Sequence, residues 1–341
     1  MEYRSTNITT SQAAFTLPAP NGVPTIDVII TAFGRYDLTR NCLEHLAQQT
    51  MKHNVVLVDN GSLDNTSARV AIDFPHVRVL RLPSNRAFAE ATNTGVATCS
   101  SPVIILMNND VACRPDFIEQ LVAPLDQDPT IASVAAFLLQ ADEEHIDSIG
   151  LAADPTLACF PRAQGRHLAP TADDELTLLG PAGAAAAYRR TAWESTGGLD
   201  EKMFAYMEDF ELAVRLRAEG WGAAEAHGAV AVHLGSATHG SLTSGQRRNG
   251  GFGRAYLLRR YGILRTRRAF RTIATETLVA VSDGVLSHDF AALRGRLEGW
   301  SAARDMPRRE LPPPVAIDSS VTFLRSIRLR RAGFQMAAAK R

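Results

Sequence analysis

From residue 26 onward, short apolar runs alternate with amphipathic segments. Ile26 to Thr31 reads as a strand, the next segment as a helix with Leu38, Cys42 and Leu46 on one face, and Val55 to Val58 as a second strand. The alternation continues through a helix near Asp64 to Phe74, a strand Val77 to Leu82, a helix from about Phe88 to Cys99, a strand Val103 to Met107 and another helix after Pro115. Repeated strand–helix units predict an α/β fold around a parallel sheet, because parallel neighbours need a crossover long enough to hold a helix. Residues 1–24 are polar and carry Pro18, Pro20, Asn21, Gly22 and Pro24, which reads as a flexible leader before an ordered domain of residues 25–240.

Open parallel sheets bind ligands beyond the carboxyl ends of their strands, so the residues after each strand matter most. They are Thr31, Ala32 and Phe33; then Asp59, Asn60, Gly61 and Ser62; then Asn85 and Arg86; then Asn108, Asn109 and Asp110. Any one of these is an ordinary turn. Four polar clusters on one edge point to a site. The run Phe33, Gly34, Arg35, Tyr36, Asp37 lacks both the GxGxxG turn of dinucleotide folds and the GxxxxGK[ST] phosphate loop. Asp110 after the fourth strand suits a hard divalent cation, which would bridge a diphosphate.

Composition adds a large core, with 45% hydrophobic residues. The longest apolar stretch, Ile131 to Leu139, is about half the roughly 20 residues of a membrane span, and no signal peptide is legible, so a cytoplasmic location is expected. Cys42, Cys99, Cys113 and Cys159 are scattered without CxxC spacing and read as reduced thiols. The net charge of zero hides a division: residues 1–240 hold 16 Lys and Arg against 29 Asp and Glu, whereas residues 241–341 hold 20 against 7. That basic, mainly helical C-terminal region suits a phosphate-rich ligand, an anionic bilayer or docking on the acidic domain.

Several motifs resemble those of glycosyltransferase family 2 over roughly residues 26–240. Val58, Asp59, Asn60, Gly61, Ser62 and Asp64 are similar to its VDNGSxD segment, and Asn85, Ala87, Phe88, Ala89, Ala91 and Asn93 to its NxGFAxAxN stretch, with Ala87 where glycine is common. Leu106 to Val111 resembles the metal-binding DxD position with Asn108 replacing the first carboxylate. Gly197, Gly198, Leu199, Asp200, Glu201, Phe204, Tyr206, Glu208, Asp209, Leu212, Arg215, Leu216, Arg217 and Gly220 resemble GGFDExFFxYxEDxxLxxRLRxxG. The resemblance implies a GT-A-type, mostly parallel sheet flanked by helices. It also implies an inverting transferase that takes a nucleoside diphosphate sugar and acts on a glycan, lipid-linked or small-molecule acceptor in cell-surface polysaccharide synthesis. No nucleic acid is implied. A uridine or deoxythymidine diphosphate donor of rhamnose or galactose type fits the overall pattern.

The family pattern further assigns Asp209 as the general base with Glu208 beside it. It places the nucleotide-sugar against Thr31, Ala32, Phe33, Arg35, Asp59, Asn85, Arg86, Phe88, Asn93, Asn108, Asn109, Asp110 and Gly183. Mg2+ or Mn2+ would sit on Asp110 and His233, the latter ending an apolar run where some members supply an imidazole; His239 is a weaker candidate. Glu208 and Asp209 could also be helix caps, since acidic residues favour a helix start. Trp193 reads as core or as a sugar-stacking ring, and Leu179 to Ala184 as a small-residue loop under the donor or as plain packing. Gln246, Arg247, Arg248 and Asn249, followed by Gly250, Gly251 and Gly253, read as a flexible basic loop, a lid or solvated surface. Val321, Leu324 and Ile327 with Arg325, Arg328, Arg330 and Arg331 form an amphipathic stretch able to lie at the inner face of a membrane. A homodimer is compatible with these features. Rival readings are a sugar-phosphate nucleotidyltransferase, whose glycine-rich basic loop is missing here, and a catalytically silent nucleotide or carbohydrate module.

Overall fold

The computed structural model describes residues 25–168, 176–234 and 243–330, so the proposed leader and His239 lie outside the described residues. Strand β1 (Ile26–Ala32) is followed by α1 (Tyr36–Leu46), β2 (Asn54–Asp59), α2 (Thr66–Asp73), β3 (Arg78–Arg81), α3 (Phe88–Ala97), β4 (Val103–Asn108), β5 (Val111–Cys113) and α4 (Phe117–Gln127). Then come β6 (Ile131–Leu139), β7 (Ile146–Ser148), β8 (Leu151–Ala153), β9 (Cys159–Pro161), β10 (Ala185–Arg189), α5 (Arg190–Thr196), α6 (Glu208–Ala218) and β11 (Gly222–His233). Helices α7 (Ser244–Arg260), α8 (Ala269–Ser287) and α9 (Ala291–Ala302) complete the order, and residues 323–330 are also helical.

The main sheet runs β3-β2-β1-β4-β10-β6-β11-β5, with β7 on β6. Its first four strands are parallel, as the strand–helix alternation predicts. Strand β10 enters between β4 and β6 antiparallel to both, and β5 pairs antiparallel with β11, so the sheet is mostly but not purely parallel, with β6 and β11 running the same way as the first four strands. The sequence hides this because a five-residue strand, three alanines followed by Tyr188 and Arg189, carries no direction signal. One core packs Val28, Ile30, Leu57, Ile105 and Phe117 under α1 and α4; the other packs Ile29, Val58, Leu106 and Tyr188 under α3 and α6. On α1, Leu38, Cys42 and Leu46 are buried together, the face read from the 3.6-residue period. Trp193 is buried edge-on against Tyr188, which makes it core and not a sugar platform.

The basic C-terminal helices dock on the acidic domain. Tyr256 and Leu257 of α7 share a core with Phe210 and Val214 of α6, and Arg309 pairs with Asp200 at 2.9 Å and also with the fully buried Glu211. The segment read as a flexible loop is the start of α7. Thr243 caps it and Gln246 returns the bond, a capping box legible as T-x-x-Q. Its glycines serve close packing: a Cβ on Gly251 would stand 2.1 Å from Ala292 O, and Cβ atoms on Gly295 and Gly299 of α9 would meet α7 carbonyls at 1.9 and 2.1 Å. The 321–331 stretch also turns partly inward, with Val321 buried and Arg330 bonded to Glu276 at 2.9 Å; Arg331 lies outside the described residues. No helix among the described residues is long and apolar enough to cross a membrane.

Candidate active site

The turns after β1, β2 and β3 are stitched into one rim. Ser62 Oγ accepts from Gly34 N at 2.7 Å, Asn60 Oδ1 accepts from Arg86 N at 2.8 Å, and Asn60 Nδ2 donates to Ala87 O at 3.1 Å. Gly61 lies at φ 82, and a Cβ there would stand 2.5 Å from Ser84 C, so only glycine lets the two turns touch. Asp59 is buried. Its carboxylate accepts from Ser62 N at 2.8 Å and from Ser67 Oγ, so it fixes this turn. Asn85 Oδ1 accepts from Ala87 N at 3.0 Å, and Ala87 takes φ 70, ψ 164, the conformation that makes glycine usual at this point of the motif.

The other sequence-named residues divide between rim and scaffold. Phe33 is exposed, Ala32 is buried, and Arg35 sits at φ 56 at the start of α1, bonded to Asp37 at 3.1 Å and close enough to Asp110 to sense its charge. Arg86 is exposed and pairs with Glu90 at 3.0 Å. Thr31 Oγ1 meets Thr92 Oγ1 at 3.0 Å, and Asn109 Nδ2 donates to Thr39 Oγ1 at 2.9 Å. Asn93 ties α3 to the glycine-rich approach: it donates to Leu199 O and Glu201 Oε1, both at 2.9 Å, and accepts from Leu199 N. Phe88 N donates to Phe204 O at 2.9 Å, so the two motif blocks are joined at the backbone.

Asp110 and His233 come together because β5 and β11 pair antiparallel, with Val111 opposite His233. His233 Nε2 lies 3.5 Å from Asp110 Oδ1, a buried oxygen with no hydrogen-bond partner. His233 Nδ1 is bonded to Asp147 Oδ2 at 2.8 Å. Sequence reasoning missed Asp147, which lies in a short strand with no turn signal; only the β6–β7 pairing carries it to the site. Burial opposes a charged imidazole here, but Asp110 and Asp147 outweigh it and raise the His233 pKa to about 10. Without an ion, Asp110 Oδ1 faces a protonated ring; with that proton displaced, Asp110 Oδ1 and His233 Nε2 would fit a divalent ion, Asp147 being the outer partner that orients the ring.

Glu208 and Asp209 open α6 after two consecutive residues at positive φ, Tyr206 at 72 and Met207 at 75. The chain can hold that turn because α7 packs on it: Tyr206 Oη accepts from Gln246 Nε2 at 2.7 Å. Asp209 Oδ2 accepts from Gly183 N and Oδ1 from Phe210 N, both at 2.7 Å. Glu208 Oε2 is buried without a partner. Burial and the neighbouring Asp209 charge push Glu208 up to about 8, while burial also raises Asp209 and its backbone donors pull against that rise. Arg215 of the same motif is scaffold: it bonds Glu211, Thr196 O and Gly198 O and holds the glycine turn.

The two acidic segments are joined by two hydrogen bonds and one peptide bond. Asn108 N, at the end of β4, donates to Ala184 O at 2.8 Å, and Gly183, one residue before, donates to Asp209. The Asn108–Asp110 turn and Asp209 therefore flank a single small-residue loop. A cavity of about 790 Å³ lined by Asp27, Leu46, Asn54 and Arg78 opens at the opposite, amino-terminal edge, away from this chemistry.

A mixed sheet with an acidic site over the carboxyl ends of its parallel strands is the GT-A architecture. The chain belongs to glycosyl transferase family 2, whose family model matches residues 27–197. It is similar to the succinoglycan biosynthesis protein ExoO of Rhizobium meliloti, 32% identical over 111 residues, which are 32% of each chain. It also resembles the N-acetylglucosaminyl-diphospho-decaprenol L-rhamnosyltransferase of Mycobacterium tuberculosis, 26% identical over 190 residues, 49% of this chain and 62% of that one. The chain thus spans about a third of the first relative's length and less than two thirds of the second's. The mannosyltransferase PcManGT of Pyrobaculum calidifontis, solved with GDP-Man and Mn2+, shares the fold at TM-score 0.52 and 18% identity, covering 92% of this chain and 81% of that one.

Proposed function

We propose that this chain transfers a sugar from a nucleoside diphosphate sugar to an acceptor hydroxyl, inverting the anomeric centre. The observation that carries this reading is the Asn108–Ala184–Gly183–Asp209 connection, which sets a half-buried carboxylate, the proposed base, one loop away from the buried Asp110. Asp209 is the base. Two backbone amides hold it in one orientation and favour its ionised form, and a base must be both ionised and fixed to take a proton as the hydroxyl attacks. Glu208, protonated below about 8, donates to the acceptor and orients it.

Asp110 and His233 would hold Mg2+ or Mn2+, which when bound supplies charge neutralisation for the departing diphosphate. The rim of Phe33, Arg35, Asn85 and Arg86 presents polar groups and one exposed ring to the nucleotide. A deoxythymidine or uridine diphosphate donor of rhamnose or galactose type, and a glycan or lipid-linked acceptor, follow from the similarity to the mycobacterial enzyme and the polysaccharide protein. The test is a screen of such donors with Mg2+ or Mn2+ and candidate acceptors, read as release of nucleoside diphosphate and product mass. Tight nucleotide binding with no release from any pair would favour a silent binding module.

A further inference from the structure

Helix α8 is built inside out. Apart from the exposed Thr277, its charged and hydroxyl side chains that pack do so against the protein: Thr272 and Thr275 are buried, Asp283 is buried against Arg247, and Glu276 takes Arg254, Arg296 and Arg330. Its apolar side chains face out. Phe270 is 85% exposed, Ile273 54%, Val281 56% and Val285 58%, with Leu278 also exposed. The spacing of 270, 273, 277, 281 and 285 is one helix face, and no described side chain on it is charged. At its end, exposed Phe290 extends the stripe, its ring lying where a Cβ on Gly284 would touch it at 2.7 Å.

A monomer gains nothing from turning such a face to water, since burying each of these side chains is worth about 1.5–3 kcal/mol. We infer that this face of α8, with Phe290, docks on an anionic lipid bilayer, lying in the interface plane without crossing it. Charge selects this occupant over a second copy of the chain. Exposed Arg265 and Arg267 stand at the entry to α8, in a region of 20 basic against 7 acidic residues. Two copies meeting face to face would bring these like-charged rims together, whereas anionic headgroups neutralise them. The acidic groups of this segment are engaged elsewhere: Glu276 and Asp283 are held by arginines of the protein, and Asp289, beside Phe290, by Ser244 and Arg247. We place the contact on α8 in preference to the 321–331 stretch, where Val321 is buried and Arg330 is held by Glu276.

The test is co-sedimentation of the full chain with phosphatidylcholine vesicles, with and without phosphatidylglycerol. The chain should bind the anionic vesicles, bind less in high salt, and lose at least about tenfold in partitioning on Ile273→Asp with Val281→Asp. Melting temperature and nucleotide binding should be unchanged in that variant, because the side chains replaced are exposed. Absence of binding to either vesicle, or binding indifferent to the double variant, overturns the assignment. So does a dimer in sedimentation velocity that the variant dissociates, which gives the face to a second copy. A variant that melts well below the parent gives it to a segment of the same chain.

Discussion

Gly183 N donates to Asp209 Oδ2 at 2.7 Å, and a Cβ on Gly183 would stand 3.2 Å from that same oxygen. The glycine both aims the base and leaves it room. Gly183 does not use a left-handed backbone, so Gly183→Ala should fold normally while pushing the carboxylate aside. A misplacement of under 1 Å costs on the order of 10- to 100-fold in kcat, and steady-state kinetics should show that loss with nucleotide affinity retained. Unchanged kcat would mean that Asp209 does not need this contact.

Ala87 carries a side chain in a conformation open to glycine, φ 70 and ψ 164. Relief of the strain by Ala87→Gly is worth about 1–3 kcal/mol, offset by up to about 1 kcal/mol from the freer unfolded chain. A net gain on the order of 1 kcal/mol should raise Tm by about 2 °C in a thermal melt. A lower Tm would show that the local backbone relaxes around the alanine.

Glu208 gives the fold a pH signature. Its pKa in the folded chain is raised from 4.5 to about 8, so the folded protein holds this proton more tightly than the unfolded chain. Its stabilising contribution is complete below about 4.5 and is lost as pH rises to about 8. Denaturant melts of Glu208→Gln should show a shallower decline of stability between those limits and greater stability than the parent above pH 8. An unchanged slope would place the carboxyl in a wetter setting than its burial indicates.

Asp147 tests the metal assignment without touching a ligand atom. Asp147→Ala frees His233 Nδ1 and should weaken Mn2+ binding about 10- to 100-fold, measured by calorimetry. His233→Ala should weaken it further, and chelation of the parent should remove nucleotide-dependent turnover. Equal Mn2+ affinity in Asp147→Ala and the parent would detach the imidazole from the ion.

The parallel half of the sheet was legible because each helix has one buried stripe and each strand ends in a polar turn, as Leu38, Cys42 and Leu46 or Asn108 to Asp110 illustrate. The acidic pair was legible too, since the motif spacing around Glu208 and Asp209 is long and specific. What stayed hidden depends on contacts far apart in sequence. Asp147 reaches His233 from 86 residues away, and β10 slots in antiparallel without any local signal. The α7 glycines were read as loop formers because single-residue flexibility is visible in a sequence, whereas the approach of α9 that requires them is not. Thr243 and Gln246 carried the correcting signal.

The most direct measurement is turnover by Asp209→Asn with a donor and acceptor that the parent uses. Replacing the base by an amide, whose single oxygen still accepts from one of the two backbone N–H groups, should lower kcat by about 10²–10⁴-fold and leave nucleotide affinity nearly intact. Turnover equal to the parent's would contradict the assignment of Asp209 and, with it, the mechanism built on the Gly183 loop.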